Sequence, residues 1–374
     1  MAGSRKRGYK EDLKVFVLGL YRNRYPDFGP TLFSEKMGED HGIRLDHETL
    51  RQWLLKEGLW VKSRKRSRHR SWRQRRAHFG ELVQLDGSHH RWFEERGEKC
   101  CLMVMVDDAT GRTMALMGKE ETTESAMGLL LSWIERYGIP KALYTDRKNV
   151  YVTDRDPTIE EELSGVEPLT AFGKVCKNLG IQIIPANSPQ AKGRVERKNG
   201  VFQDRLVKEF RLKGISDIEG ANRILPGFTG KLDGKFAIQP ARPEDYHQAL
   251  PEGLILADVF CWEESRVLAN DWTFRFENRL FQVEKQNDLP PAKTRIKILK
   301  RLDGSLHVLY RNRSVSFKEL TSRPPQENKK TIKKRKPWKP GPDHPWRNNS
   351  IAARPGGLSP WPSTQTKTLQ RGHF

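Results

Sequence analysis

Three carboxylates stand where predicted strands end or a predicted helix begins. Asp86 closes the apolar run 82–85, Asp146 directly follows the strand 142–145, and Glu196 lies near the start of a long helix with Asn199 and Gln203 on its face. Carboxylate oxygens are the hard ligands that Mg²⁺ takes in octahedral geometry and shares with substrate phosphates. Three of them on separate elements of one sheet could converge on two Mg²⁺ ions about 3.5–4 Å apart, a pair suited to activating an attacking water or hydroxyl and stabilising the leaving oxygen. Roughly one residue in eight is acidic, so position alone does not single these three out. Asp107 and Asp108 end the next strand and compete, although Asp before a tight turn commonly serves only the turn. His89 and His90 follow Asp86 closely; one could sit near the metals or hydrogen-bond a scissile phosphate, but packing or surface exposure is the reading preferred for both.

The elements that must position these groups span 81 to about 215. Strands are expected at 82–85, 100–106 and 113–117, the last two paired across the turn Ala109-Thr-Gly-Arg112. A helix over 123–136 carries Met127, Leu130, Leu131 and Ile134 at helical spacing, and Gly138-Ile-Pro140 ends it. A strand over 142–145, a helix over 169–179, a strand over 181–185 and a long helix from 192 to 210 complete a mixed α/β unit. Residues 149–170, with six acids against Arg155, form an acidic surface insertion. Trp92 and Phe93 read as core, and Cys100 and Cys101 as small hydrophobes of a buried strand.

Ahead of this unit, 8–60 reads as helices. Val15, Phe16, Leu18, Leu20 and Tyr21 give an apolar stripe before Pro26, and a second helix over 31–39 ends at Gly42. Asp46 is an N-cap for a third over 47–56, with Leu45 and Leu50 as a hydrophobic staple. That helix buries Leu50, Trp53 and Leu54 and turns Arg51, Gln52 and Lys56 outward. Two short helices about a glycine turn suggest a helix-turn-helix, with Arg51 and Gln52 as DNA contacts; a plain helical cap on the next domain is the alternative. Behind the α/β unit, 255–320 is strand-rich, with hairpins about Glu277-Asn278-Arg279 and Asp303-Gly304, and is expected to make a small β-barrel.

The 374 residues carry 68 Lys plus Arg against 47 Asp plus Glu, a net charge of +21, and the charge is concentrated. Residues 58–80 hold nine basic residues and no acid, among them Arg64, Arg66 and Arg68. Residues 323–374 hold twelve basic and two acidic residues, with nine of the 22 prolines, and are expected to be disordered. Two basic stretches on an otherwise near-neutral chain, interleaved with Trp72, Trp338, Trp346 and Trp361, point to a polyanion, most simply nucleic acid. No run of eighteen apolar residues suggests a membrane span, and no signal peptide is evident. Four cysteines without a Cys-x-x-Cys pair exclude a disulfide scaffold and a zinc finger, and suit a reducing compartment.

The segment Asn187-Ser-Pro-Gln-Ala-Lys-Gly-Arg-Val-Glu-Arg-Lys-Asn199, with Leu85-Asp-Gly-Ser-His-His90 and Tyr144-Thr-Asp-Arg147, resembles the catalytic core of DDE-type transposases related to retroviral integrases, in particular the ISNCY-like transposases of bacterial insertion sequences. The resemblance extends to Tyr25-Pro-Asp-Phe-Gly-Pro-Thr31, Phe79-Gly-Glu-Leu-Val-Gln-Leu-Asp86 and Gln203-Asp-Arg-Leu-Val-Lys208. It implies that Asp86, Asp146 and Glu196 are the catalytic, metal-binding triad of an RNase H-like core with its first and fourth strands adjacent. Mg²⁺ or Mn²⁺, two ions, is the implied cofactor. The implied activity is metal-dependent cutting of transposon ends and joining of a 3′-hydroxyl to target double-stranded DNA. Lys192, Arg194, Lys198 and Asn199 would then hold DNA backbone near the metals, in at least a homodimer, in bacterial cytoplasm at the nucleoid.

Under this resemblance the chain divides into a helix-turn-helix (1–60), a basic linker (61–78), the RNase H-like core with its mixed five-stranded sheet (79–250), a small β-barrel (251–322) and a disordered Pro-rich tail (323–374). Asp146 and Glu196 are 50 positions apart, more than the integrase family's usual spacing, and the acidic insertion accounts for the excess. Long members of the group carry a further helix-turn-helix before residue 1, so a shortened product is expected. Residues 225–236 look degraded where related chains have a regular helix. A non-catalytic DNA-binding descendant and a structure-directed nuclease are the competing functions.

Overall fold

The computed structural model describes residues 9–61, 73–165, 167–186, 192–321 and 341–344. Most of the basic linker, including Arg64, Arg66 and Arg68, the loop 187–191 and nearly all of the tail lie outside the described residues.

Helices α1 (Glu11–Arg24), α2 (Pro30–His41) and α3 (His47–Lys56) pack around Val17, Leu18, Tyr21, Tyr25, Phe33, Met37, Leu50 and Leu54. Gly42, at φ 69°, ends α2 in the left-handed conformation, and the Asp46 carboxylate caps α3 by accepting from the Glu48 and Thr49 amides. The buried stripe of α1 differs from the expected one. Spacing of Val17, Leu18, Tyr21 and Tyr25 selects the face toward α2 and α3, which leaves Val15 and Phe16 63% and 52% exposed.

The central sheet has the order β3-β2-β1-β4-β5, formed by β1 (Val83–His90), β2 (Cys100–Asp107), β3 (Thr113–Gly118), β4 (Ala142–Thr145) and β5 (Gln182–Pro185). β1, β2 and β3 run antiparallel, while β4 lies parallel to β1 and to β5. The mixed five-stranded sheet and the adjacency of first and fourth strands are as expected. Every residue of β2 is buried, because helices cover both faces. On one face α4 (Thr123–Tyr137) and α6 (Ala171–Asn178) pack on Leu85, Met103 and Met105; on the other α7 (Gly193–Leu212) and α8 (Ile218–Phe236) pack on Leu102, Val104 and Val106. β1 is longer than its apolar run: its ladder with β2 is unbroken from Val83↔Asp107 to His90↔Cys100, so the neighbour's pairing, not side-chain pattern, carries it on. Asp86 therefore stands mid-strand rather than at a strand end.

Residues 225–236 are not degraded. They are the second half of α8, capped by Asp217 and held on β3 and α7 by Ala221, Leu225 and Leu232, so packing overrides Pro226 and three glycines. The acidic insertion contains one short helix, α5 (Ile159–Ser164), begun by a Thr158–Glu161 capping box.

Beyond α9 (Leu256–Val259), β6 (Cys261–Val267), β9 (Arg295–Arg301), β10 (Leu306–Tyr310) and β11 (Arg313–Ser314) form one antiparallel sheet, and β7 (Thr273–Phe276), β8 (Arg279–Val283) and β12 (Phe317–Leu320) another. Their inner faces share Phe274, Phe281, Ile296, Ile298 and Val308. Glu277 and Asn278 both have positive φ, as a tight two-residue hairpin turn requires. The expected single barrel is thus two hydrogen-bonded sheets over one core.

Candidate active site

α7 lies along β1 in matched steps. The Val195 amide donates to Gln84 Oε1 at 3.1 Å, Asn199 Nδ2 to Asp86 Oδ2 at 3.1 Å, and Gln203 Nε2 to Ser88 Oγ at 3.2 Å. Four helical residues advance about 6 Å and two strand residues about 6.7 Å, so every second side chain of β1 meets every fourth residue of α7. At the helix start Lys192 Nζ reaches Asp86 Oδ1 at 2.9 Å and stands 4.0 Å from Asp146 Oδ2. Lys192, Glu196, Asn199 and Gln203 share one flank of α7. Lys192 and Asn199 are both anchored on Asp86, which places the half-buried Glu196 between them, one turn from each.

β4 brings the second acid. Its pairing Val83↔Leu143 and Gln84↔Tyr144, carried on at the same offset, sets Asp146 level with Asp86. Asp146 Oδ1 accepts from the Lys148 amide at 3.3 Å, and Lys148 Nζ lies 3.2 Å from Asp146 Oδ2. Asp86 and Asp146 thus hold an ammonium group between them, and both remain part-exposed. Beside them Asn199 Oδ1 is buried and makes no hydrogen bond, an acceptor without a donor. Hard oxygens already holding one positive charge, with a spare acceptor beside them, fit a divalent cation of the Mg²⁺ type.

Sequence reasoning missed the groups behind Asp146. Glu121, in the turn between β3 and α4, accepts from Tyr151 Oη at 2.9 Å and from Lys148 Nζ at 2.5 Å. A Cβ at Gly87 would stand 2.3 Å from Glu121 Oε2. These partners are about thirty residues apart in sequence and share no local pattern. His89, Cys101 and Glu121 offer ligand atoms within 4.8 Å of one another. Burial, with Glu121 adding to it, pushes the Cys101 thiol up to about 12, so it is a protonated, poor ligand. His90 stands edge-on to Trp92 at 5.3 Å, and His89 is exposed.

The competing acids serve the frame. Asp107 accepts from the Thr110 amide and hydroxyl, both at 2.7 Å, and from the Gly80 amide, and burial holds its carboxyl above the ordinary value. Asp108 does more than shape a turn. Fully buried, it accepts from Arg194 Nε at 2.8 Å, Gln84 Nε2 at 2.8 Å, the Arg76 amide and the Arg73 guanidinium. The described end of the basic linker is therefore docked on the core.

The four helix residues expected beside DNA split between the two flanks of α7. Lys192 and Asn199 face Asp86. Arg194 and Lys198, with Arg75, Arg197, Val201 and Phe236, line a pocket of about 220 Å³ on the opposite flank; behind it Arg194 pairs with Asp108 and Lys198 lies 3.8 Å from Asp233. Burial, then Arg194 and Arg197, pushes Arg75 below its usual value. On α3, Arg51 Nε donates to Glu48 Oε2 at 2.7 Å and Gln52 Nε2 to Glu48 Oε1 at 3.3 Å; Gln52 is exposed and Arg51 partly so.

No family model matches the chain. It is 38% identical over 313 residues to a putative transposase, y4bF, of Sinorhizobium fredii, covering 82% of this chain and 67% of that protein. It is 27% identical over an alignment of 391 residues to the transposase for insertion sequence IS1202 of Streptococcus pneumoniae, covering 92% and 82%. Among solved structures it is similar to the HTLV-2 integrase catalytic core domain in complex with magnesium, at 22% identity and a TM-score of 0.30 over 38% of this chain and 80% of that one. A simian T-cell lymphotropic virus intasome gives 16% identity and a TM-score of 0.36 over 78% and 95%. Likeness at those scores is too slight to add to the geometry.

Proposed function

Because this chain belongs to the transposase family, we propose that it binds the ends of an insertion sequence and cuts and joins DNA strands by metal-dependent phosphoryl transfer at Asp86, Asp146 and Glu196. The observation that carries this reading is the Lys192 ammonium, 2.9 Å from Asp86 and 4.0 Å from Asp146, beside the unpartnered Asn199 oxygen. Two carboxylates that hold a replaceable positive charge are what a divalent site needs. Mg²⁺ or Mn²⁺, as two ions, would supply a polarised phosphate and an activated water or 3′-hydroxyl. Asp86, Asp146 and Glu196 would hold them, with Asn199 orienting Asp86. Displaced from the carboxylates, Lys192 becomes a cation for a phosphate oxygen next to the reacting strand.

On the opposite flank, Arg75, Arg194, Arg197 and Lys198 give a second strand's backbone phosphate a positive pocket, with Arg194 and Lys198 also facing Asp108 and Asp233. Residues 1–60 act as a helix-turn-helix that reads the end, with Gln52 and Arg51 on its outward helix. Arg64, Arg66 and Arg68 in the linker 61–78 track the backbone, 79–250 form an RNase H-like core, and 251–322 assist assembly of a homodimer or larger complex, since two ends must be joined.

The test uses a labelled duplex carrying the element's end with Mg²⁺ or Mn²⁺, comparing wild type with Asp146→Asn and Glu196→Gln and scoring nicked and joined products. Metal-dependent joining lost in both variants supports the reading. Cutting without joining would make the chain a nuclease, and tight end binding without either would make it a DNA-binding descendant.

A further inference from the structure

The carboxylate of Glu121 is buried, with a side chain 4% exposed, and lies outside the three acids of the proposed site. Burying a carboxylate is costly without partners. Tyr151 Oη supplies one at 2.9 Å, and Lys148 Nζ, at 2.5 Å, is its ion-pair partner among the described residues. That ammonium is shared: it also lies 3.2 Å from Asp146 Oδ2. Charges therefore alternate in a row, Glu121, Lys148, Asp146, Lys192, Asp86, each within ion-pair reach of the next. Gly87, next to Asp86 on β1, is what lets Glu121 lie so close, because any Cβ there would meet Oε2 at 2.3 Å. Two carboxylates of very different exposure thus compete for one lysine.

We propose that Glu121 is a positioning residue that holds the Lys148 ammonium at the edge of Asp146 and so sets how readily Asp146 releases it to a divalent cation. The inference rests on the reading of Asp146 as a cation ligand. The Glu121 carboxylate gives Lys148 a buried partner when a cation takes Asp146. With that carboxylate replaced by an amide, Lys148 stays on Asp146 and competes with the cation.

The sign of each substitution follows. Glu121→Gln weakens cation binding, roughly two- to fivefold for an ion pair of this exposure. Lys148→Met removes the competitor and strengthens it. Adding Glu121→Gln to Lys148→Met changes little further, because the lysine through which Glu121 acts is gone. A carboxylate that acted only through its field would weaken binding equally in both backgrounds.

The experiment is a Mn²⁺ and Mg²⁺ titration of the full chain without DNA, by calorimetry and by the Mn²⁺ resonance signal, for wild type, both single variants and the double variant. Thermal unfolding in EDTA checks that each is folded. Tyr151→Phe serves as a second variant that disturbs the other oxygen of Glu121 and leaves the lysine pair in place. The expected result is weaker binding in Glu121→Gln only when Lys148 is present, with Tyr151→Phe near wild type. Additive effects in the cycle, or equal losses in Tyr151→Phe and Glu121→Gln, overturn the inference and leave the cation site standing. A wild-type chain that binds no cation overturns the reading of the site, and the inference with it.

Discussion

Two pairs of aspartates lie on neighbouring strands of one sheet, and they have opposite surroundings. Asp107 and Asp108 are fully buried, and their partners are backbone amides, a threonine, a glutamine and two guanidinium groups. Asp86 and Asp146 are part-exposed, and their partners include two lysine ammonium groups on a helix start and a loop. The first pair's charge is spent on structure; on the proposed reading the second pair's is open to exchange. Position at a strand end does not separate the two settings, whereas the exposure of the carboxylates does.

The sharpest way to break this comparison is to neutralise one acid of each kind. Asp108→Asn leaves Arg73 and Arg194 without their buried partner and is expected to lower stability by about 3–5 kcal/mol in denaturant unfolding. Asp86→Asn is expected to stay within about 1 kcal/mol of wild type while joining of DNA ends is lost. An Asp108→Asn protein as stable as wild type would erase the distinction. Next in size, Gly87→Ala sets a methyl against the buried Glu121 carboxylate and is expected to cost about 1–3 kcal/mol; an unchanged unfolding midpoint would mean that Glu121 is free to move.

Intermediate burial offers a third setting, where α2 docks on α7 through Arg205–Glu35 and Lys36–Glu209. Burial pushes the Glu209 carboxyl up, but Lys36 and Lys213 outweigh it and hold it below its ordinary value of 4.5; Arg205 and Lys235 do the same for Glu35. A depressed folded value adds stability above the unfolded value and loses it as pH falls through the folded one. Amide exchange in α1–α3 is therefore expected to be slow above pH 4.5 and to quicken below it, before the central sheet responds. Simultaneous loss in both would show that these pairs do not set the docking. The smallest effect on stability falls at Arg51→Ala, which removes only an ion pair with Glu48 within one helix, while on the helix-turn-helix reading affinity for the element's end drops by roughly ten- to a hundredfold.

Much of this was legible from residue types. Asp86, Asp146 and Glu196 stand on the expected elements because strand and helix signals there are local, such as an apolar run or a glycine stop. What was not legible depends on partners distant in sequence. Nothing near Glu121 announces Tyr151 and Lys148, and nothing near Asp108 announces Arg73 or Arg194. The second half of α8 was misjudged because Pro226 and its glycines argue locally against a helix, while Leu225 and Leu232 bury enough against the sheet to keep one. In α1 an apolar stripe was read correctly as helical, but Val15 and Phe16 lie outside its packed arc.

The three rungs between α7 and β1 work like a vernier. Each helical step of four falls short of each strand step of two by well under an ångström, so the scales agree at Gln84, Asp86 and Ser88 and drift apart beyond. One residue inserted between Val195 and Asn199 would turn the later rungs about 100° around the helix and take Asn199 off Asp86. Beyond Tyr151, which is packed in the core, the segment up to Thr170 carries no rung, so its length can change without moving one. The spacing of the second and third acids can therefore vary widely between related chains, while the helix that carries the third must keep its count.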